Sequence, residues 1–75
     1  MTFKVTSEQV FQILAHSMVI GGAESQYTLM FGSGDGNFTA WDEACPANEA
    51  CMVSNFAKGT YFYLDGNTGD VIITY

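Results

Sequence analysis

The sequence predicts a mainly β domain, a small antiparallel β-sandwich or partly open barrel. Runs rich in aromatic and β-branched residues, Tyr27–Phe31, Asn37–Trp41, Thr60–Leu64 and Val71–Tyr75, recur along the chain from Ser25 onward. Between them stand Gly32-Ser33-Gly34-Asp35-Gly36 and Asp65-Gly66-Asn67-Thr68-Gly69-Asp70, clusters that accept the positive φ angles of tight turns. A length of 75 residues leaves room for one domain, 1–75, with a core that is marginal without a staple or a partner surface.

The first third supports two alternatives. Thr6, with Gln9 three residues on, has the form of a capping box. At helical spacing Val10, Phe11, Ile13, Leu14 and Met18 fall on one arc, opposite Glu8, Gln12, Ala15 and His16. As a strand, Phe11, Ile13, Ala15, Ser17 and Val19 would share a face, with poorer separation from the other one. Periodicity favours one N-terminal helix, about 7–17, while Met18-Val19-Ile20 could equally begin a strand. Gly21-Gly22 ends the element either way.

Downstream the elements are firmer. Tyr27–Phe31 and Asn37–Trp41 flank the Gly-rich loop as one hairpin. Glu43–Glu49 is a loop holding the only proline, Pro46, which cannot donate to a ladder. Cys51–Phe56 is a short strand. Thr60–Leu64 and Val71–Tyr75 are expected to pair across Asp65–Asp70, which places the terminal Tyr75 in the sheet.

Composition excludes several functions. Apolar residues make up 48% and charged residues only 13%, against about 25% charged in a typical soluble chain. Disorder is thereby excluded, and some apolar surface is expected to lie under another chain. Lys4 and Lys58 are the only basic side chains and the net charge is −6. Nucleic-acid binding, which needs Lys or Arg on phosphates, is not expected. Asp42, Glu43 and Glu49 cluster without forming the long acidic stripe of a DNA mimic, and their role is solubility. No run approaches the roughly 20 apolar residues of a membrane span, and Met1-Thr2-Phe3-Lys4 does not open a signal peptide. Asn37-Phe38-Thr39 fits the glycosylation pattern but reads as turn chemistry.

No motif points to catalysis. Cys45 and Cys51 lack the second ligand pair that a tetrahedral zinc site requires. They could close a disulfide at the base of a hairpin, but without a secretion signal two packed free thiols are preferred. A Cys–His16 nucleophile pair would need an electropositive setting, and this chain is acidic. The stretch from Asp65 to Asp70 has oxygen side chains at calcium-loop spacing but lacks the glycine at its sixth place and ends before a bidentate glutamate. Gly32–Gly36 has neither the lysine nor the helix of a phosphate cradle. No enzyme activity, metal or cofactor is expected. The remaining candidates are Trp41, Tyr61 and Tyr63, whose rings supply rigid contact area with a polar tip on strand faces.

Three stretches extend the interpretation: Asp35-Gly36-Asn37-Phe38-Thr39-Ala40-Trp41-Asp42-Glu43, then Pro46-Ala47-Asn48-Glu49, then Lys58-Gly59-Thr60-Tyr61-Phe62-Tyr63-Leu64-Asp65-Gly66-Asn67-Thr68. Together with the β-branched end, over about residues 27–75, the chain resembles small β-rich auxiliary proteins of tailed-phage virions, of the capsid-decoration and head-fibre type. The resemblance implies a non-enzymatic structural protein of a virion assembled in the host cytoplasm. It would bind the major capsid protein or another virion protein, as a symmetric homo-oligomer, and not nucleic acid or membrane. It carries over no site residues, and Cys45 and Cys51 are outside its pattern. The alternatives are a small acidic inhibitor or adaptor of a host protein, and a carbohydrate-binding module using the surface aromatics.

Overall fold

Thr2–Val5 (β1), Phe11–Ile13 (β2), Ser17–Ile20 (β3), Thr28–Gly32 (β4), Thr39–Ala40 (β5), Cys51–Ser54 (β6), Thr60–Asp65 (β7) and Val71–Thr74 (β8) are the strands of a computed structural model that describes residues 1–42 and 46–75. They build two four-stranded antiparallel sheets, β1-β8-β3-β6 and β2-β7-β4-β5. Only β4 and β5 form a hairpin within one sheet; every other connection carries the chain across to the opposite sheet. This is the winding of an eight-stranded jelly roll.

Alternation fills the space between the sheets. Val5, Met18, Ile20, Val53, Val71 and Ile73 point inward from the first sheet. Phe11, Ile13, Leu29, Phe62 and Leu64 meet them from the second, with Ala23, Tyr27 and Phe56 closing the ends. Each fully buried Val, Leu, Ile, Met or Phe side chain among them contributes about 1.5–3 kcal/mol. Phe62 is central, with Phe11 stacked on it at 5.9 Å and Phe56 edge-on at 4.9 Å.

The expected helix at 7–17 is absent; the described residues contain no helix. The box contacts do form, since Thr6 N–H and Oγ1 both donate to Gln9 Oε1 at 2.9 and 3.0 Å. They close an isolated turn, because Glu8 takes a φ of 54° and redirects the chain. The helical appearance has a geometric origin. Phe11 and Ile13 are inward residues of β2, Met18 and Ile20 of β3, and the bend at Leu14–His16 lies between them. A sheet change at that corner shifts the phase of the alternation, so two strands imitate a period near 3.6. Val10 and Leu14, assigned to the apolar arc, are exposed.

The expected pairing of Thr60–Leu64 with Val71–Tyr75 also does not occur. β7 lies between β2 and β4, whereas β8 lies between β1 and β3. Asn67 accounts for the crossing. Its side chain is 1% exposed, its Oδ1 accepts from Glu8 N–H at 2.8 Å, and its Nδ2 donates to Gly69 O at 3.3 Å. Ser7 Oγ adds a bond to Asn67 O at 2.7 Å. These bonds tie the β7–β8 connection to the β1–β2 connection, which crosses between the same two sheets. The β1 strand was not foreseen. It pairs with β8 from Thr2↔Thr74 to Val5↔Val71, and Tyr75 N–H continues the ladder to Met1 O at 2.8 Å.

Candidate functional site

Trp41 follows β5 and points inward at the open edge between the sheets. Its ring meets Phe31 edge-on at 5.1 Å and Phe56 and Phe62 at 6.3 and 6.5 Å, while the backbone N–H of Trp41 donates to Leu29 O at 2.8 Å. It is half-buried and belongs as much to the core as to the surface. Two depressions meet at this ring. A groove of about 640 Å³ has Phe31, Trp41 and Phe56 as its apolar wall and Asp35, Asn37 and Asn55 among its polar groups. A smaller one of about 350 Å³ runs past Asp42 along Met52, Val53, Ser54 and Asn55 of β6 and its exit. Asp35 itself is engaged: it accepts from Asn37 N–H at 2.9 Å, which lowers its pKa.

Tyr61 and Tyr63 lie on the outer face of the second sheet, because their neighbours Phe62 and Leu64 point inward. The structure therefore separates them from Trp41, which is on the opposite face. Both are half-buried under the β4–β5 loop. Phe38 meets Tyr63 edge-on at 4.8 Å. At Gly34, with φ of 97°, a Cβ would sit 2.7 Å from the Tyr61 ring, so only glycine lets the loop close over it.

The outer face of the first sheet is more open. Thr2, Thr74, Val19 and Met52 form one row across its strands, and Lys4 and Ile72 lie side by side in the next. Met52 is 71% exposed, Ile72 46% and Val19 36%. The only charged side chain in these rows, Lys4, is drawn to Asp70 at 3.4 Å. Sequence reasoning missed these three apolar residues. Their signal is the apolar run Val71-Ile72-Ile73, too hydrophobic for one buried face, and it becomes readable only once the register is known.

The preference for two free thiols is overturned at Cys51, which is disulfide-bonded; Cys45 and Glu43 lie outside the described residues. A staple suits a core of this size. His16 is exposed at the β2–β3 corner. Its Nδ1 donates to Phe56 O at 2.9 Å, and its own carbonyl accepts from Asn55 N–H, so the ring anchors a corner. In the 65–70 turn the oxygen of Asn67 is already taken by backbone, and among the described residues no group of three or more His, Cys, Asp or Glu converges as metal ligands. Among the described residues no helix is long and apolar enough to cross a membrane.

Comparison with protein-family models, with curated proteins and with solved structures finds no match to this chain.

Proposed function

We propose that the chain is a non-enzymatic structural protein of a phage virion, docking on the major capsid protein or another virion protein through the outer face of its first sheet. The exposure of Met52, Val19 and Ile72 on adjoining strands carries this reading. Interface centres are depleted in charge and rich in Met and other apolar groups, and a contiguous apolar face on a small protein marks an interaction site. The strand winding agrees, since viral capsid domains are among those that use it, although a fold alone does not assign a function. The resemblance of residues 27–75 to virion auxiliary proteins points the same way. Tyr61 and Tyr63 supply a second, more covered face to such a contact.

The test is co-sedimentation of the tagged chain with phage particles through a density gradient, beside the double variant Val19→Lys, Ile72→Lys. Both positions are solvent-facing, so the variant keeps its fold and loses the particle fraction. A wild-type chain that stays at the top of the gradient in the presence of particles overturns the reading. Sedimentation velocity of the isolated chain tests the homo-oligomer.

A second reading rests on the larger groove, where an aromatic wall beside amide and hydroxyl groups suits a sugar ring, and lectin domains share this winding. Trp41 is the only tryptophan, so its fluorescence reports directly. A saturable change on titration with oligosaccharides, lost in Asn55→Ala, supports it; a flat titration removes it.

A further inference from the structure

The four sheet edges are not equally protected. In the second sheet β2 and β5 are three and two residues long, too short to recruit a strand. In the first sheet β1 carries Lys4. β6 reads Cys51-Met52-Val53-Ser54, with no charge, no proline and no bulge in its pairing with β3. Native edges carry such devices to keep other strands away. β6 lacks them.

Its register shows which backbone groups are open. Asn55 N–H donates to His16 O, and the pairs Val53↔Met18 and Cys51↔Ile20 follow at every second position of the same register. In an antiparallel pair the intervening residues turn their N–H and C=O away from the partner strand. Those residues are Met52 and Ser54. The neighbouring ladder agrees: Gly21 N–H donates to Ile72 O, and Val19, opposite Met52, faces β8. Along this open edge runs the smaller depression, with Trp41 and Asp42 on its far side. Among the described residues, an apolar ring, a carboxylate and the outward main-chain groups of Met52 and Ser54 thus line one slot.

We propose that β6 is a strand-acceptor edge, taking an extended segment of a partner protein that bears Lys or Arg opposite Asp42. Main-chain bonds to Met52 and Ser54 supply affinity and the side chains along the slot supply selection, as in other strand additions. Charge selects the occupant. A second copy would bring its own Asp42 and another net −6, whereas a basic segment is drawn to both. The inference rests on the docking reading in one respect, that the occupant belongs to another protein, and it adds the mode of attachment.

The experiment uses amide exchange of the full chain, followed by NMR, with a short capped peptide alternating Val with Thr and Lys as the probe. With about millimolar peptide, exchange at Met52 and Ser54 slows by about tenfold or more, as expected when open amides become paired. A matched peptide with Glu for Lys produces a clearly weaker effect. Ser54→Pro removes an outward N–H, a place where an edge strand tolerates proline; it abolishes the slowing at Met52 while the β3 amides keep their exchange rates. Absence of slowing at both amides, an equal response to the Glu peptide, or slowing without peptide that grows with protein concentration each overturns the proposal, the last by making a second copy the occupant. The Val19→Lys, Ile72→Lys variant leaves both outward amides in place. Co-sedimentation that survives Ser54→Pro sinks the edge alone, and peptide protection without co-sedimentation of the wild type sinks the virion reading alone.

Discussion

The N–H of Glu8 donates to the side-chain oxygen of Asn67 at 2.8 Å, a bond between residues 59 apart in the chain. It couples two connections that cross between the sheets, and Gly66 N–H returns the contact by donating to Glu8 Oε2 at 3.2 Å. Asn67→Ala leaves Glu8 N–H and Gly69 O without their partner, which costs about 2–3 kcal/mol. Asn67→Asp keeps the acceptor but sets a carboxylate against Gly69 O, and costs more. Urea denaturation of the two variants measures both; a loss under about 0.5 kcal/mol would mean that the clamp is incidental.

Tyr27 is 3% exposed, and among the described residues its hydroxyl has no hydrogen-bond partner. Tyr27→Phe is therefore expected to be neutral or to stabilise by about 1 kcal/mol. Burial pushes the phenol up to about 12, whereas in the unfolded chain it ionises near 10. The unfolded state loses this proton first, so Tyr27 makes stability fall between about pH 10 and pH 12 and has no effect below that window. Denaturation of wild type and the Phe variant across this range should show the difference.

Trp41 is a packing residue before it is a contact residue. Trp41→Ala should cost about 3 kcal/mol, at the lower end for a large aromatic because the ring is only half-buried. Trp41→Phe should recover much of the loss. A fully stable Ala variant that failed only in binding would restore the ring to the role predicted for it from sequence.

Removal of the Cys51 disulfide, by reductant or by Cys51→Ser, is expected to lower stability by about 2–3 kcal/mol. Particle association of the folded fraction should be unchanged, since Cys51 points inward while Met52 and Ser54 face outward. Thermal melts with and without reductant give the first quantity, and gradient co-sedimentation the second.

Much of the fold was legible because its local signals were strong. Tyr27–Phe31 and Asn37–Trp41 do make the hairpin, with Met30↔Ala40 and Phe31↔Thr39 in register. The outward position of Tyr61 and Tyr63 followed from alternation alone. What misled was the corner between Ile13 and Met18, because periodicity cannot distinguish a helix from two short strands that change sheet. The destination of the 65–70 turn was equally hidden: Asp-Gly and Asn-Thr-Gly specify a reversal, but whether the next strand pairs or crosses depends on Asn67 meeting Glu8. The candidate surfaces were legible only in kind. Poverty of charge announced exposed apolar surface, yet locating it on Val19, Met52 and Ile72 required the strand register.

The strand order also bears on how the molecule can be made. β7 is inserted between β2 and β4, and β8 between β1 and β3. Until residues 60–75 have left the ribosome, β1 and β2 have no neighbour to pair with, and their apolar residues wait in the open. Closure of both sheets therefore waits on the last two strands. A chain cut before Thr60 would be a target for proteases rather than a smaller version of the same protein.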